Sequence, residues 1–224
     1  MMPGLPLFLS VREVPTLFWT SPRPLNMRPR ADTFLMLVLG LSLFGFGETL
    51  LIAANFGFSP WIVLAQGVGN VTPWGIGEAT FWISVGVLLL WIPLKQVPGI
   101  GTILNAVIIA VIIAYVTPYL PHPENPYLRA IQVLIGTYIV GLGAAVYLIA
   151  NLGPGPRDGL MTGLQRLTGF PIAWVRSSIE VTVVLVGWWL GGTVGIGTLM
   201  YAFLIGPAVS TNLHLMRTIF AKPA

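Results

Sequence analysis

Apolar residues in this chain run in long blocks rather than along one helical face or in alternation, and short breaks rich in Pro and Gly separate the blocks. Six blocks, at residues 33–55, 76–95, 99–119, 128–150, 172–191 and 195–216, have the length of a membrane crossing. Such a crossing takes about 20 mostly apolar residues for ~30 Å of hydrocarbon. The pattern predicts an all-α polytopic membrane protein with six transmembrane helices. Two of the breaks are unusual. NFGFSPWIVL at 55–64 and NLGPGPRDGL at 151–160 each combine Pro, which removes a backbone donor, with Gly, which ends a helix at little steric cost. Each break is expected to end a span and start a short new helix, over 60–70 and 157–167. Irregular backbone at membrane depth is tolerated only where it is buried in protein, lines water or lies at the interface. The short helices are therefore either interfacial, or re-entrant half-helices whose free amides meet an anion.

The two breaks belong to a longer repeat. Shifting the chain by 96 residues aligns it with itself without a gap from about Gly40 to Ile109. Gly40, Gly45 and Gly47 fall on Gly136, Gly141 and Gly143; Asn55, Gly57 and Pro60 on Asn151, Gly153 and Pro156; Gly99-Ile100-Gly101-Thr102 on Gly195-Ile196-Gly197-Thr198. Leu, Ile and Val match by chance in any apolar chain, but Asn, Gly, Pro and Thr do not keep one register over this distance. Each copy holds three spans, an odd number, so the second must enter the membrane from the other side. The expected fold is thus two inverted three-helix repeats, each with a short interfacial or re-entrant helix after its first span, a plan shared by many secondary transporters. Gly40, Gly47 and Ala54, and their mates Gly136, Gly143 and Ala150, recur every seven residues and form one small-residue stripe per span, which lets backbones approach closely in lipid. The expected organisation is a disordered basic Pro-rich tail over 1–31, a first repeat over 32–120, an extracytoplasmic loop over 121–127, a second repeat over 128–217 and a cytoplasmic tail over 218–224.

Composition fixes the solvent. Hydrophobic residues make up 55 % of the chain and charged residues 8 %, against roughly 25 % charge in soluble domains. There is no Cys, hence no disulfide, thiolate metal site or Cys nucleophile. The net charge of +4 lies mostly at membrane edges, which makes it a topology signal rather than a nucleic-acid footprint. Lys and Arg cluster before span one, at Lys95, at Arg157 and Arg166, and at Arg217 and Lys222. All four places are on one side, so the positive-inside rule puts both termini in the cytoplasm. The basic tail contains no signal peptide pattern, and Met27, followed by Arg28 and the first span, also reads as a natural start.

Three stretches suggest a family: GPGPRDGLMTGLQRLTG, IEVTVVLVGWWLGGTVGIGTLMYAFLIGP at 179–207, and SPWIVLAQG in the first copy. Over about residues 33–210 the chain resembles the YczE-like bacterial integral membrane proteins, distantly akin to the YitT group. The resemblance implies a multi-span protein of the bacterial inner membrane, of largely uncharacterised biochemistry and often supposed to be a transporter. The first copy departs from that family's pattern at Ile62 and Ala65, where Asp and His are common, and at Glu48.

Ionisable groups inside a span are costly and usually face protein or water. Glu180 is the deepest, and Arg176 precedes it by one helical turn, so the two can pair. With Ala173, Ser177, Gly187 and Gly191 they are expected to form the face of span five that turns towards the protein. The pair reads either as packing glue or as a coupling or substrate-binding site. Glu48 lies beside the Gly47 stripe. Arg157 and Asp158 start the second short helix, where Arg157 can attract an anion and Asp158 can cap. Asn55 and Asn151 stand at the breaks, and Asn105 has Tyr201 as its repeat mate. The candidate substrate-binding or coupling residues are Glu180, Arg176, Arg157, Asp158, Asn151, Asn55, Glu48 and Asn105. Trp74, Trp82, Trp91, Trp174, Trp188 and Trp189 read as an interfacial belt. No catalytic motif, metal cluster or cofactor loop is present in the sequence. The leading expectation is a carrier of a small molecule, an organic anion by charge, in the bilayer of the bacterial inner membrane, with no nucleic acid bound. The alternative is a non-transporting accessory or scaffold protein, or the substrate-binding subunit of a multi-component transporter. A homodimer or an unidentified protein partner fits either.

Overall fold

The computed structural model describes residues 14–220; the expectations for residues 1–13 and 221–224 lie outside the described residues. Eight α-helices follow one another: α1 Ala31–Ala54, α2 Pro60–Val71, α3 Ile76–Trp91, α4 Ile100–Val116, α5 Pro126–Ala150, α6 Pro156–Thr168, α7 Ile172–Trp189 and α8 Ile196–Phe220. No strand occurs among the described residues. Five helices, α1, α4, α5, α7 and α8, are long and apolar enough to cross a bilayer; α2 and α3, bent by 109° at their junction, bring the number to six if taken as one span. The chain is a multi-pass helical membrane protein. Span two was expected to reach residue 95 but α3 stops at Trp91, because Pro93 lacks the donor and crowds the preceding turn. α8 continues to Phe220, so residues 218–220 belong to the helix and not to a tail.

The centre of the bundle is the antiparallel pair α1 and α5, which approach through the small-residue stripes. A Cβ on Gly40 would meet the Gly143 carbonyl at 2.9 Å, and one on Gly47 would meet the Gly136 carbonyl at 2.7 Å. α4 packs on α1 through Gly45, and α8 packs on α5 through Gly141. Around this pair lies the apolar core of Leu37, Leu41, Ile113, Ala145, Ile149 and Leu213.

Both breaks are built alike. Asn55 and Asn151 end their helices at φ 47° and 51°, and Gly57 and Gly153 follow at φ 109° and 111°. Asn tolerates the left-handed region, and Gly adopts it freely. The carbonyls freed there are taken by the starts of distant helices: Gly197 donates to Phe56 O at 2.8 Å and Gly101 to Leu152 O at 2.7 Å. Buried backbone groups need such partners. Each break thus clips onto a helix from the other half of the chain.

The two short helices α2 and α6 begin buried, at Ser59–Pro60 and Gly155–Pro156, and end exposed, at Asn70 and Thr168. α2 packs on α7 and α3, and α6 packs on α3 and α7. One difference separates the halves. α3 packs closely on α4, with Gly77 against Ala110 and Ala114, whereas α7 has α2 and α6 as its main neighbours and stands off α8.

The expected disordered tail is ordered where it is described. Leu17 and Trp19 are buried, Ser21 donates its N–H to Ala150 O at 3.1 Å, and the Asn151 amide donates to Ser21 O at 2.9 Å. Trp19 also meets Phe220 edge to face. A Leu–Phe–Trp run among prolines has enough apolar area to hold a strap against the bundle.

Candidate functional site

The standoff between α7 and α8 leaves a cavity of about 620 Å³. Its walls come from the starts of α2 and α6, the middles of α1, α4 and α8, the last third of α5 and one face of α7. The N-terminal ends of α2 and α6 therefore meet in the interior, which the chain achieves because Pro60 and Pro156 each open a helix where no amide donor is needed. First-turn amides and the positive end of the helix dipole favour negative charge there.

Arg157 is the charge at that junction. Its guanidinium lies 4.9 Å from the centre of the Trp61 ring, a cation–π distance. Among the described residues it has no carboxylate within ion-pair distance. Arg157 and Trp61 are repeat mates, 96 residues apart. Asp158, next in sequence, is engaged otherwise: it accepts a hydrogen bond from the Tyr147 hydroxyl at 2.7 Å. Arg176 and Glu180 line the α7 wall and form the expected pair, Nε to Oε1 at 2.9 Å, with side chains 52 % and 34 % exposed. Ala173 and Ser177 are exposed as well, so the face expected to turn into the protein does so only at Gly187, which packs against Leu64. The reason is the missing neighbour: α7 has nothing from α8 to lie on over its first half.

Glu48 is fully buried in α1 behind this wall. Its Oε2 accepts from the Ser59 hydroxyl at 2.8 Å, and Ser59 lines the cavity. Asn105 lines it beside Gly155. Five of the eight candidates, Arg157, Asp158, Arg176, Glu180 and Asn105, thus share one cavity, and Glu48 abuts it. The other two do not. Asn55 is exposed at the end of α1, its carbonyl accepting from Arg129 at 3.3 Å, and Asn151 caps α5 and holds the N-terminal strap.

Sequence reasoning missed Trp61, Tyr147 and Ser59 as wall residues; the register of the repeat, which pairs Trp61 with Arg157, was the available signal for the first. Trp91 is corrected. It was assigned to the interfacial belt but is buried, because its Nε1–H donates to Pro156 O at 3.0 Å and its ring fills the space over Gly159. It anchors the start of α6.

A multi-pass helical bundle with a mostly apolar cavity, carrying a few charged groups, at the meeting point of two short helices defines the class: an integral membrane protein with a cleft of small-molecule size. Residues 31–213 match the family described as a family of unknown function, DUF6198, and the chain belongs to that family. It is similar to an uncharacterized protein of Haemophilus influenzae, 39 % identical over 206 residues, covering 92 % of this chain and 94 % of the relative. It is also similar to the uncharacterized membrane protein YczE of Bacillus subtilis, 33 % identical over 171 residues, covering 75 % and 79 %. The YczE-like resemblance read from the sequence therefore holds. No solved structure matches the chain.

Proposed function

We propose that this protein is a carrier of small organic anions in the bacterial inner membrane, with both termini cytoplasmic. In this reading the two halves are inverted repeats, α2 and α6 are re-entrant half-helices, and the anion binds between their N-termini on Arg157. The observation that carries it is the Arg157 guanidinium, set in a cavity among first-turn amides and held by an aromatic face rather than a carboxylate. A cation that rests on an aromatic ring, with no carboxylate among the described residues in ion-pair contact, is open to an anionic ligand. Trp61, Phe44, Tyr147 and Ile205 around it suit an anion with an apolar or aromatic body.

The difference between the halves supplies a mechanism. α3 is closed on α4 while α7 stands off α8. If each repeat can take the other's arrangement, closing α7 on α8 and parting α3 from α4 exposes the same Arg157 site to the other side, which is alternating access around a fixed site. The breaks at Asn55–Gly57 and Asn151–Gly153 are the places where the backbone can absorb the change.

The test is counterflow exchange in proteoliposomes with labelled benzenesulfonate, benzoate and pyruvate. Exchange of at least one of them is expected, and Arg157→Gln should weaken its binding by roughly 10- to 100-fold, since hydrogen bonds to a charged group contribute about 1.5–3 kcal/mol. Exchange unaffected by Arg157→Gln, or no exchange of any of the three, overturns the proposal.

A further inference from the structure

Among the described residues the most buried carboxyl is Glu48 and not Glu180, which the sequence places deepest, and the anion site leaves it unexplained. Glu48 has no solvent exposure and its repeat mate is Ala144, so it is not part of the shared architecture. Its Oε2 has one partner, Ser59, at 2.8 Å, while Oε1 is buried with no hydrogen-bond partner. A buried carboxylate needs more than one hydroxyl donor to keep its charge, so a nearby cation must supply the rest. The surroundings are specific. Arg157 of α6 and Tyr201 of α8 are close enough to act on the Glu48 charge. Both, with Ser59, line the cavity. The other neighbouring groups are committed or exposed: Tyr147 of α5 donates to Asp158, Glu180 pairs with Arg176, Tyr115 of α4 is exposed, and His122 is held by Ala53 O at the C-terminal end of α1.

One cation thus stands between two claimants, an anion in the cavity and a carboxyl behind its wall. Two negative charges beside one partly buried guanidinium leave one unit of charge uncompensated, which is costly for the fully buried Glu48. Transfer of a proton to Glu48 removes it, and the carboxylic acid so formed also gains an O–H to donate.

Resting on the anion-carrier reading, we propose that Glu48 is the internal counter-charge of Arg157 and takes up one proton when an anion binds Arg157. When the anion leaves, the proton leaves with it through Ser59 and the cavity, so anion and proton cross together and no net charge moves. The balance is closed: one A⁻ and one H⁺ enter from one side, and both depart on the other.

Two measurements on the intact protein test this. First, calorimetric titration with benzenesulfonate and with pyruvate in two buffers of different protonation enthalpy counts protons. The wild type should take up about one proton per anion, and Glu48→Gln none while still binding. Second, proteoliposomes placed in a medium one pH unit more acid than their lumen should accumulate the anion about tenfold, one pH unit being about 1.4 kcal/mol, with matching acidification of internal pyranine. Benzenesulfonate stays ionised and does not leak across lipid as a neutral acid. Glu48→Gln should keep counterflow exchange and lose the accumulation. No proton uptake by the wild type, full accumulation in Glu48→Gln, or proton uptake lost in Glu180→Gln and kept in Glu48→Gln each overturns the role of Glu48. Each of these outcomes leaves anion exchange itself intact, whereas absence of binding and exchange in the wild type overturns the carrier reading and this one with it. Should Glu48→Gln fail to fold, the proton count of the wild type still decides.

Discussion

The α1–α5 seam allows a quantitative prediction, because its fit is made by backbone rather than side chains. Replacing Gly47 by Ala puts a methyl 2.6 Å from Val140 Cγ2 and 2.7 Å from both the Gly136 carbonyl oxygen and the Val140 amide nitrogen. Replacing its mate Gly143 puts one 2.6 Å from the Gly40 carbonyl and closer still to the Phe44 amide nitrogen. Carbon contacts are comfortable at about 3.5–4.0 Å, so α1 and α5 must part by roughly 1 Å, since backbone atoms cannot rotate out of the way. Overpacking costs about 1–3 kcal/mol, and rigid obstacles put each substitution at about 2–3 kcal/mol. A pair already parted by the first methyl admits the second more cheaply, so the double variant should fall short of the sum. Gly86→Ala is the control: no atom lies within 4 Å of a Cβ there, and helix propensity should gain up to about 1 kcal/mol. Unfolding of the purified protein in mixed micelles with rising SDS, followed by circular dichroism, measures all four. A cost below about 0.5 kcal/mol for either seam variant would refute the argument that these glycines let the backbones touch.

Two other variants probe the site. Trp91→Phe withdraws the benzo edge from over Gly159 and strips the donor from the buried Pro156 carbonyl, so it should cost at least about 1–3 kcal/mol in the same unfolding assay; an unchanged midpoint would show that α6 is not anchored there. The Arg176–Glu180 pair is partly exposed on both sides, so a double-mutant cycle of Arg176→Gln and Glu180→Gln should give a coupling of about 0.3–0.5 kcal/mol in stability. A coupling several times larger would mean that the pair is a buried structural bridge and not a feature of the cavity wall.

Six apolar blocks, the absence of Cys and the scarcity of charge determined a helical multi-pass chain before any coordinates, because a segment's length and hydrophobicity decide whether it can sit in hydrocarbon. The helix ends were legible for the same reason: Asn55, Gly57, Asn151 and Gly153 are residues that can take the left-handed turns found there. Stripe spacing likewise announced the α1–α5 seam, since it is local helical geometry. What no local rule could supply was which element lies beside which. The direction of the short helices was open in the sequence, and only packing turned their N-termini inward, bringing Arg157 onto Trp61. The burial of Trp91, the ordered strap at Trp19 and the seclusion of Glu48 behind Ser59 depend on partners in other elements of the chain. The standoff of α7 from α8 is decided by tertiary structure: the repeat mates α3 and α7 take different neighbours, because a span's environment is set by the bundle around it as well as by its own residues.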